Sequence, residues 1–379
     1  MRRGSFQTET VRLTNTKRSA DTETSGSGIH DHVNAAQEAF RSGRTRPLDW
    51  RRRQLAGMRA MLEEQGPAIE AAVHADLGRH PFEAYVSEVA AVLGEVRHAE
   101  RNLRRWTKDR TVARPLVLAP ARAWIRREPV GTVLIMGAWN YPVHLLLMPL
   151  AGALAAGNTA VLKPSELAPA SSAVLAQCVP RYLDSQAVQV VEGGVAEATA
   201  LLERQFDHIF FTGSSAVGRS VMTAAARHLT PVTLELGGKC PVWVDDSYPV
   251  AQAAKWLVWG KFSNCGQTCV APDYVLTTPE VAPRLAEEVR REVLSRYGDN
   301  PQSSPDYGRI VTERHTRRIA GLLDCGTVFL GGQVDLADRY VAPTVLLDVS
   351  LDDPVMQQEI FGPVLPVVPV ADHREAGGE

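Results

Sequence analysis

A thiol at Cys269, closing the segment Asn264-Cys265-Gly266-Gln267-Thr268-Cys269, and a carboxylate at Glu235, opening Glu235-Leu236-Gly237-Gly238-Lys239, are the residues of this chain best suited to chemistry. Each lies in a glycine-punctuated turn segment, as a cysteine nucleophile and a general base would. A carboxylate flanked by Leu234 and Leu236 on an apolar strand carries a desolvation cost unless it is paired or used. Cys265 and Cys269 would make a metal pair only with further ligands, and no second cysteine pair or histidine cluster lies nearby. No metal is expected, and Cys265 reads as a packing residue.

Three more segments carry candidate binding groups. Phe211-Thr212-Gly213-Ser214-Ser215-Ala216-Val217-Gly218 follows a predicted strand and opens a predicted helix, where backbone N–H groups attract phosphate. Its two glycines are not spaced as the usual dinucleotide fingerprint, so a tight turn without a ligand fits this stretch equally well. Lys163-Pro164-Ser165-Glu166 ends another strand and offers a cation for phosphate or ribose and a carboxylate for ribose hydroxyls; a solvated turn stopped by Pro164 is the other reading. Asn140, in Trp139-Asn140-Tyr141-Pro142, is either a plain helix cap, favoured for the segment alone, or an oxyanion donor.

These residues need elements to hold them. From Ile29 to Leu77 apolar residues recur at helical spacing and predict two amphipathic helices, and a further helix is expected over Glu83 to Trp106. Thr111 to Arg127, with Pro115 and Pro120, suits a projecting hairpin. Short β-branched runs then alternate with helical stretches: strands at 131–136, 160–162, 188–191, 208–211 and 231–235, and helices at 142–156, 171–179, 196–203 and 215–227. Strands that read as continuous apolar runs separated by helices imply a parallel sheet covered on both faces. A second α/β unit follows, with strands 241–244 and 274–277 and helices 249–262 and 282–297, and the boundary is expected near Gly237-Gly238.

The length of 379 residues predicts two or more domains, and 45% hydrophobic residues suffice to bury their cores. A formal net charge of −2 gives no electrostatic case for nucleic acid or an acidic membrane surface. Five cysteines in a long chain without a secretory signal argue for reduced thiols and a cytoplasmic setting. The longest apolar stretch, Tyr141 through Leu154, is too short and too interrupted by Pro142, His144 and Pro149 to span a membrane. Met1 to Gly28, rich in Arg, Ser and Thr, reads as a disordered tail.

Taken together, these segments and Glu359-Ile360-Phe361-Gly362-Pro363 resemble the aldehyde dehydrogenase superfamily, over about Ile29 to Val370, and Trp139-Asn140-Tyr141-Pro142 resembles its class 3 branch. The resemblance implies an α/β fold with a Rossmann-like NAD-binding domain (29–110 and 128–236), a bridging or oligomerisation hairpin (111–127) and an α/β catalytic domain (237–379). It implies NAD(P)-dependent oxidation of an aldehyde to a carboxylic acid. Cys269 would be the nucleophile, forming a thiohemiacetal and then a thioester; the Asn140 amide and the Cys269 N–H would hold the oxyanion; Glu235 would activate the hydrolytic water. Lys163 and Glu166 would bind the adenosine ribose, and Gly213, Ser214 and Gly218 would form the pyrophosphate turn. Glu359 would bind the nicotinamide ribose, with Phe361 against the ring and Tyr141 lining the substrate pocket. A carboxylate at Glu166 favours NAD, with NADP possible through Lys163. An apolar funnel would suit fatty or aromatic aldehydes, with the aldehyde itself left open, and a homodimer is the expected assembly.

The chain ends at Glu379, before the family's C-terminus. The portion that normally follows completes the catalytic domain and supplies strands to the sheet that joins subunits. Its absence would leave an unpaired edge on the hairpin and put dimerisation in question. The alternative expectation is a catalytically silent nucleotide-binding remnant of the same family.

Overall fold

The structure, a computed structural model, describes residues 21–377. Helix α1 (Asp21–Arg41) and helix α2 (Leu48–Leu77) come first along the chain, and a short α3 (Pro81–Ala84) runs through a π-helical turn at Tyr85–Ala90 into α4 (Ala91–Trp106). Met1 to Ala20 of the expected tail lie outside the described residues, but Asp21 to Gly28 are helical and correct it. The physical reason is cooperativity: once Ile29, Val33 and Ala36 are buried, each residue added to the helix gains a hydrogen bond without a new nucleus.

Strands β1 (Arg110–Thr111) and β2 (Trp124–Ile125) pair antiparallel in the predicted hairpin. Leu116 and Val117 at its tip are 88% and 87% exposed, so the hairpin contributes no core.

The next stretch alternates β3 (Thr132–Met136), α5 (His144–Ala156), β4 (Thr159–Lys163), α6 (Pro169–Tyr182), β5 (Val188–Val190), α7 (Val195–Leu202), β6 (His208–Gly213), α8 (Ser215–Ala226) and β7 (Val232–Leu236). The strands form one parallel sheet in the order β5-β4-β3-β6-β7. Every residue of β3 and β4 is buried, because helices cover both faces. Side chains alternate across the pleat: Val133, Ile135, Ala160 and Leu162 join one core with α2, α4, α5 and α6, while Leu134, Met136 and Val161 join another with α1 and α8. The strand order reverses between β3 and β6, which opens a crevice at the carboxyl ends of those strands.

After Leu236 the chain enters a second sheet almost at once. Its elements are β8 (Cys240–Val244), α9 (Val250–Phe262), β9 (Pro272–Thr277), α10 (Ala282–Tyr297), α11 (Glu313–Ala320), β10 (Thr327–Leu330), a small β11–β12 pair (Val334–Asp335 and Tyr340–Val341), β13 (Thr344–Leu347), α12 (Pro354–Gln357), β14 (Val364–Pro369) and α13 (His373–Gly377). The sheet order is β10-β13-β14-β9-β8, parallel except for β10, with a core of its own that includes Leu257, Val258, Val275, Leu285 and Val367. Among the described residues no helix is long and apolar enough to cross a membrane.

Candidate active site

Five of the sequence candidates lie at or just beyond the carboxyl ends of the first sheet: Asn140 after β3, Lys163 at the end of β4, Gly213 and Ser214 at the end of β6, and Glu235 near the end of β7. Cys269, Glu359 and Phe361 precede the amino ends of the second sheet, Cys269 before β9 and the other two before β14. The two sets meet. The Asn140 Nδ2 donates to the Gln267 carbonyl at 3.0 Å, the Tyr141 hydroxyl and Thr268 Oγ1 are 2.8 Å apart, and the Gly237 backbone is packed so tightly on the Glu359 carboxylate that a Cβ there would overlap it.

The nucleophile segment owes its shape to an unusual turn. Asn264 (φ 48°, ψ 31°), Cys265 (φ 53°, ψ 32°) and Gly266 (φ 72°) are left-handed in succession. Two non-glycine residues in this region cost roughly 1–3 kcal/mol each. Their side chains are buried and bonded, which offsets the cost. Asn264 Nδ2 donates to the carbonyls of Asn140 (2.9 Å) and Gln267 (3.2 Å), and the Asn264 N–H donates to Glu83 (3.0 Å). The Gln267 side chain accepts from the Val311 N–H at 2.9 Å and donates to the Asn264 and Arg309 carbonyls at 3.0 Å each. Gly266 lies against the Gly362 carbonyl with no room for a Cβ, so the nucleophile turn is seated on the Glu359–Pro363 segment.

Asn140 is not a helix cap. Helix α5 starts at His144, and the N–H groups of Val143 and His144 are accepted by Glu88 at 3.1 and 2.8 Å. One Asn140 amide hydrogen is committed to Gln267, and its second has no partner among the described residues. Trp139 meets Phe361 edge-on, with ring centroids 5.3 Å apart, and so joins the segments of Asn140 and Glu359.

Electrostatics separate the thiols. Burial pushes Cys265 up to about 12, which leaves it an inert packing thiol, as expected. Cys269, half-buried, is raised by burial and by Glu359, Cys240 and Glu235. Its thiolate is therefore scarce at neutral pH before substrate and nucleotide arrive. Iodoacetamide alkylation of Cys269, followed by peptide mass, is expected to accelerate as pH rises above neutral. Glu359→Gln removes a negative neighbour and so shifts the inflection to lower pH; an inflection that stays in place or rises contradicts this coupling.

Glu235 differs from the sequence expectation. It is exposed near the carboxyl end of β7 and carries no burial penalty of the kind expected between two leucines. It enters no ion pair among the described residues, which leaves the carboxylate available to a water molecule. Glu359 is raised chiefly by burial, with the Gly238 N–H opposing, and its Oε1 has no partner.

The residues proposed for a dinucleotide fit one. Of the six buried side-chain polar atoms without a hydrogen bond among the described residues, Thr212 Oγ1, Lys261 Nζ, Asn264 Oδ1 and Glu359 Oε1 belong to segments of this site, as expected where a ligand supplies the missing partners. Lys163 is buried, its Nζ 2.7 Å from the Pro164 carbonyl and 3.5 Å from the exposed Glu166, with donor capacity left over. The N-terminus of α8 is exposed and has no acidic residue in its first turn, an electropositive end suited to phosphate. Ser214 Oγ accepts the Val217 N–H at 3.4 Å as the cap of that helix. Gly218 lets α8 approach β7, since a Cβ there would come within 2.9 Å of Leu236.

Sequence inspection missed the supporting groups. Lys239 Nζ bonds Asp273 and the carbonyls of Val355 (3.1 Å) and Gln358 (3.0 Å), and Asp273 in turn accepts the Ile360 N–H at 3.0 Å, so these side chains carry the Glu359 segment. Fully buried Lys261, 3.8 Å from Asp273, is lowered by burial to about 8. Arg79 and Glu88 were missed too, because a charged residue in the sequence carries no mark of its burial.

The statistical model of the aldehyde dehydrogenase family matches residues 12–377, a longer span than the motifs alone delimit. Aldehyde dehydrogenase family 3 member B1 of Homo sapiens is 51% identical over 348 residues, covering 92% of this chain and 74% of that protein. The dimeric NADP-preferring aldehyde dehydrogenase of Rattus norvegicus is 47% identical, with 92% and 77% covered. Among solved structures, AldH of Staphylococcus aureus in its substrate-bound state superposes with a TM-score of 0.89 at 40% identity, covering 92% of this chain and 76% of that one. The aldehyde dehydrogenase of Mycobacterium tuberculosis complexed with NAD+ gives 0.81 at 29% identity, with 93% and 74% covered.

Proposed function

The chain belongs to the aldehyde dehydrogenase family and oxidises an aldehyde with NAD or NADP, and from that premise we propose which of its residues carry the reaction. Cys269 is the nucleophile. Its thiolate adds to the aldehyde carbon, and the oxygen that becomes negative is held by the free Asn140 amide hydrogen and the Cys269 backbone N–H, donors fixed before charge develops. When bound, NAD or NADP supplies the hydride acceptor. Cys269 then holds the acyl group as a thioester, and Glu235 takes a proton from the water that hydrolyses it, releasing the acid and freeing the thiol. The hydrogen bond from Asn140 to Gln267 carries this reading, because it holds the oxyanion donor two residues from the nucleophile across the junction of the two sheets.

The dinucleotide is held by Lys163 and Glu166 at the adenosine ribose, by Gly213, Ser214 and Gly218 at the turn into α8, and by Glu359 and Phe361 at the nicotinamide end. The unpartnered Glu359 Oε1 supports the last of these, as an acceptor for ribose hydroxyls. Tyr141 borders the nucleophile through Thr268 and lines the pocket for a medium-chain or aromatic aldehyde. Residues 29–110 and 128–236 form the nucleotide-binding unit, and residues from 237 onward the catalytic unit. The hairpin at 111–127, which interrupts the nucleotide-binding unit, is the surface for self-association as a dimer, a role its exposed Leu116, Val117 and Trp124 support. Five unpaired cysteines suit a reducing, cytoplasmic compartment.

The test is production of NAD(P)H from a medium-chain or aromatic aldehyde together with the matching acid in equal amount. Consumption of aldehyde without acid, or no NAD(P)H with either nucleotide, overturns the assignment.

A further inference from the structure

One buried cation joins both halves of the site. Arg79 is fully buried just after α2, in a chain whose exposed arginines are numerous. Its Nη1 donates to Glu88 at 2.8 Å, its Nε lies 3.3 Å from Glu83, its Nη2 bonds Ser87, and its guanidinium stacks 4.7 Å from the centre of the Tyr141 ring. Each of these partners continues into the catalytic machinery. Glu88 accepts the N–H groups of Val143 and His144, which ends the Asn140 loop; Glu83 accepts the N–H of Asn264, which begins the nucleophile turn; Tyr141 reaches Thr268, next to Cys269. We propose that Arg79 is a positioning residue for the oxyanion hole, setting Asn140 and Cys269 relative to each other through Glu88, Glu83 and Tyr141.

The physical case rests on desolvation. Glu88 is fully buried, and burial alone favours its neutral form; Arg79 is the cation that opposes this. Without the guanidinium, an uncompensated buried carboxylate must protonate or move, and either change weakens its two bonds to the Asn140 loop. The same loss frees Glu83 and removes the cation from the Tyr141 face. Lysine supplies charge but not the planar fork that reaches Glu88, Glu83 and Ser87 together.

The proposal rests on the assignment of Asn140 and Cys269 above, so its test uses a step that needs no nucleotide. Acylation of Cys269 by p-nitrophenyl acetate forms the thioester bond, breaks the ester C–O bond and releases nitrophenolate, and its transition state uses the same oxyanion hole. In Arg79→Gln the acylation burst is expected to slow about 10²-fold, the usual consequence of misplacing a reacting group by about 1 Å. Arg79→Lys falls between that variant and wild type. Because one of the routes from Arg79 runs through Asn140, the losses of Arg79→Gln and Asn140→Ala should combine to less than their product in the double variant.

Arg51 is the matched control, a buried arginine bonded to the Thr45 and Ala155 carbonyls away from both loops; Arg51→Gln should lower the melting temperature while leaving acylation within about 2-fold. Should Arg79→Gln not fold, Glu88→Gln keeps the shape and drops the charge, and is expected to acylate about tenfold more slowly, the mild end of such misplacement. Wild-type acylation by Arg79→Gln or Glu88→Gln, or losses that multiply in the double variant, overturns the proposal. A wild-type protein that acylates normally but makes no NAD(P)H overturns the dehydrogenase assignment and leaves that of Arg79 standing.

Discussion

Cys269→Ala is expected to make no measurable NAD(P)H from any aldehyde, a loss of at least about 10⁴-fold, since removing a nucleophile removes the covalent route itself. No other thiol can substitute. Cys265 is fully buried and pushed up to about 12, while Cys240 is raised by burial and points its Sγ at the Cys269 carbonyl, 3.5 Å away. The variant should still bind nucleotide, because Lys163, the α8 N-terminus and Glu359 are untouched. NAD at about 100 times its Kd should therefore raise its stability by about 2.7 kcal/mol, read as a higher melting temperature in both wild type and variant. Cys178→Ala, in the core of the first sheet, should lower melting but keep turnover per folded molecule. Equal NAD(P)H production by wild type and Cys269→Ala removes Cys269 from the mechanism.

Glu235→Gln separates the two halves of the reaction. Acylation of Cys269 does not need Glu235 as a base once the thiolate is formed, but hydrolysis of the thioester does. The variant should produce one equivalent of NAD(P)H in a burst and then slow by about 10²–10⁴-fold, the range for losing a general base. Mass spectrometry should then find the acyl group on the Cys269 peptide. Hydroxylamine, a nucleophile strong enough to attack a thioester without help, should restore turnover by releasing the hydroxamate. The exposure of Glu235 makes this sharper: a substitution there disturbs little packing, so the change in rate reports chemistry. Steady turnover at the wild-type rate, with no acyl-enzyme, would sink the role of base.

How far each part was legible follows from its range along the chain. The strands of the first sheet read correctly to within a residue or two because short apolar runs bounded by turn residues are local signals, and β3 and β4 are buried on both faces as their apolar runs require. Helix α5 begins later than Pro142 suggests, because what caps it is Glu88, 55 and 56 positions away. Glu235 looked buried between two leucines, yet it is exposed near the end of its strand. Cooperative extension of α1 carries helix into a stretch whose composition reads as tail.

By itself the sequence determined which residues stand at strand ends and turns, and with them the candidates Asn140, Lys163, Gly213, Glu235, Cys269 and Glu359. Local spacing encodes local conformation, and ligands collect where strands stop. The tertiary structure alone decided that two sets of strand ends, carboxyl from one sheet and amino from the other, close on a single cleft. Its decisive bonds join residues 127 positions apart, from Asn140 to Gln267, and 181 apart, from Glu83 to Asn264. No periodicity spans such distances. The buried Arg79 at the centre of that closure was invisible in the sequence because charge is read there without burial, and burial is what gives this guanidinium its leverage.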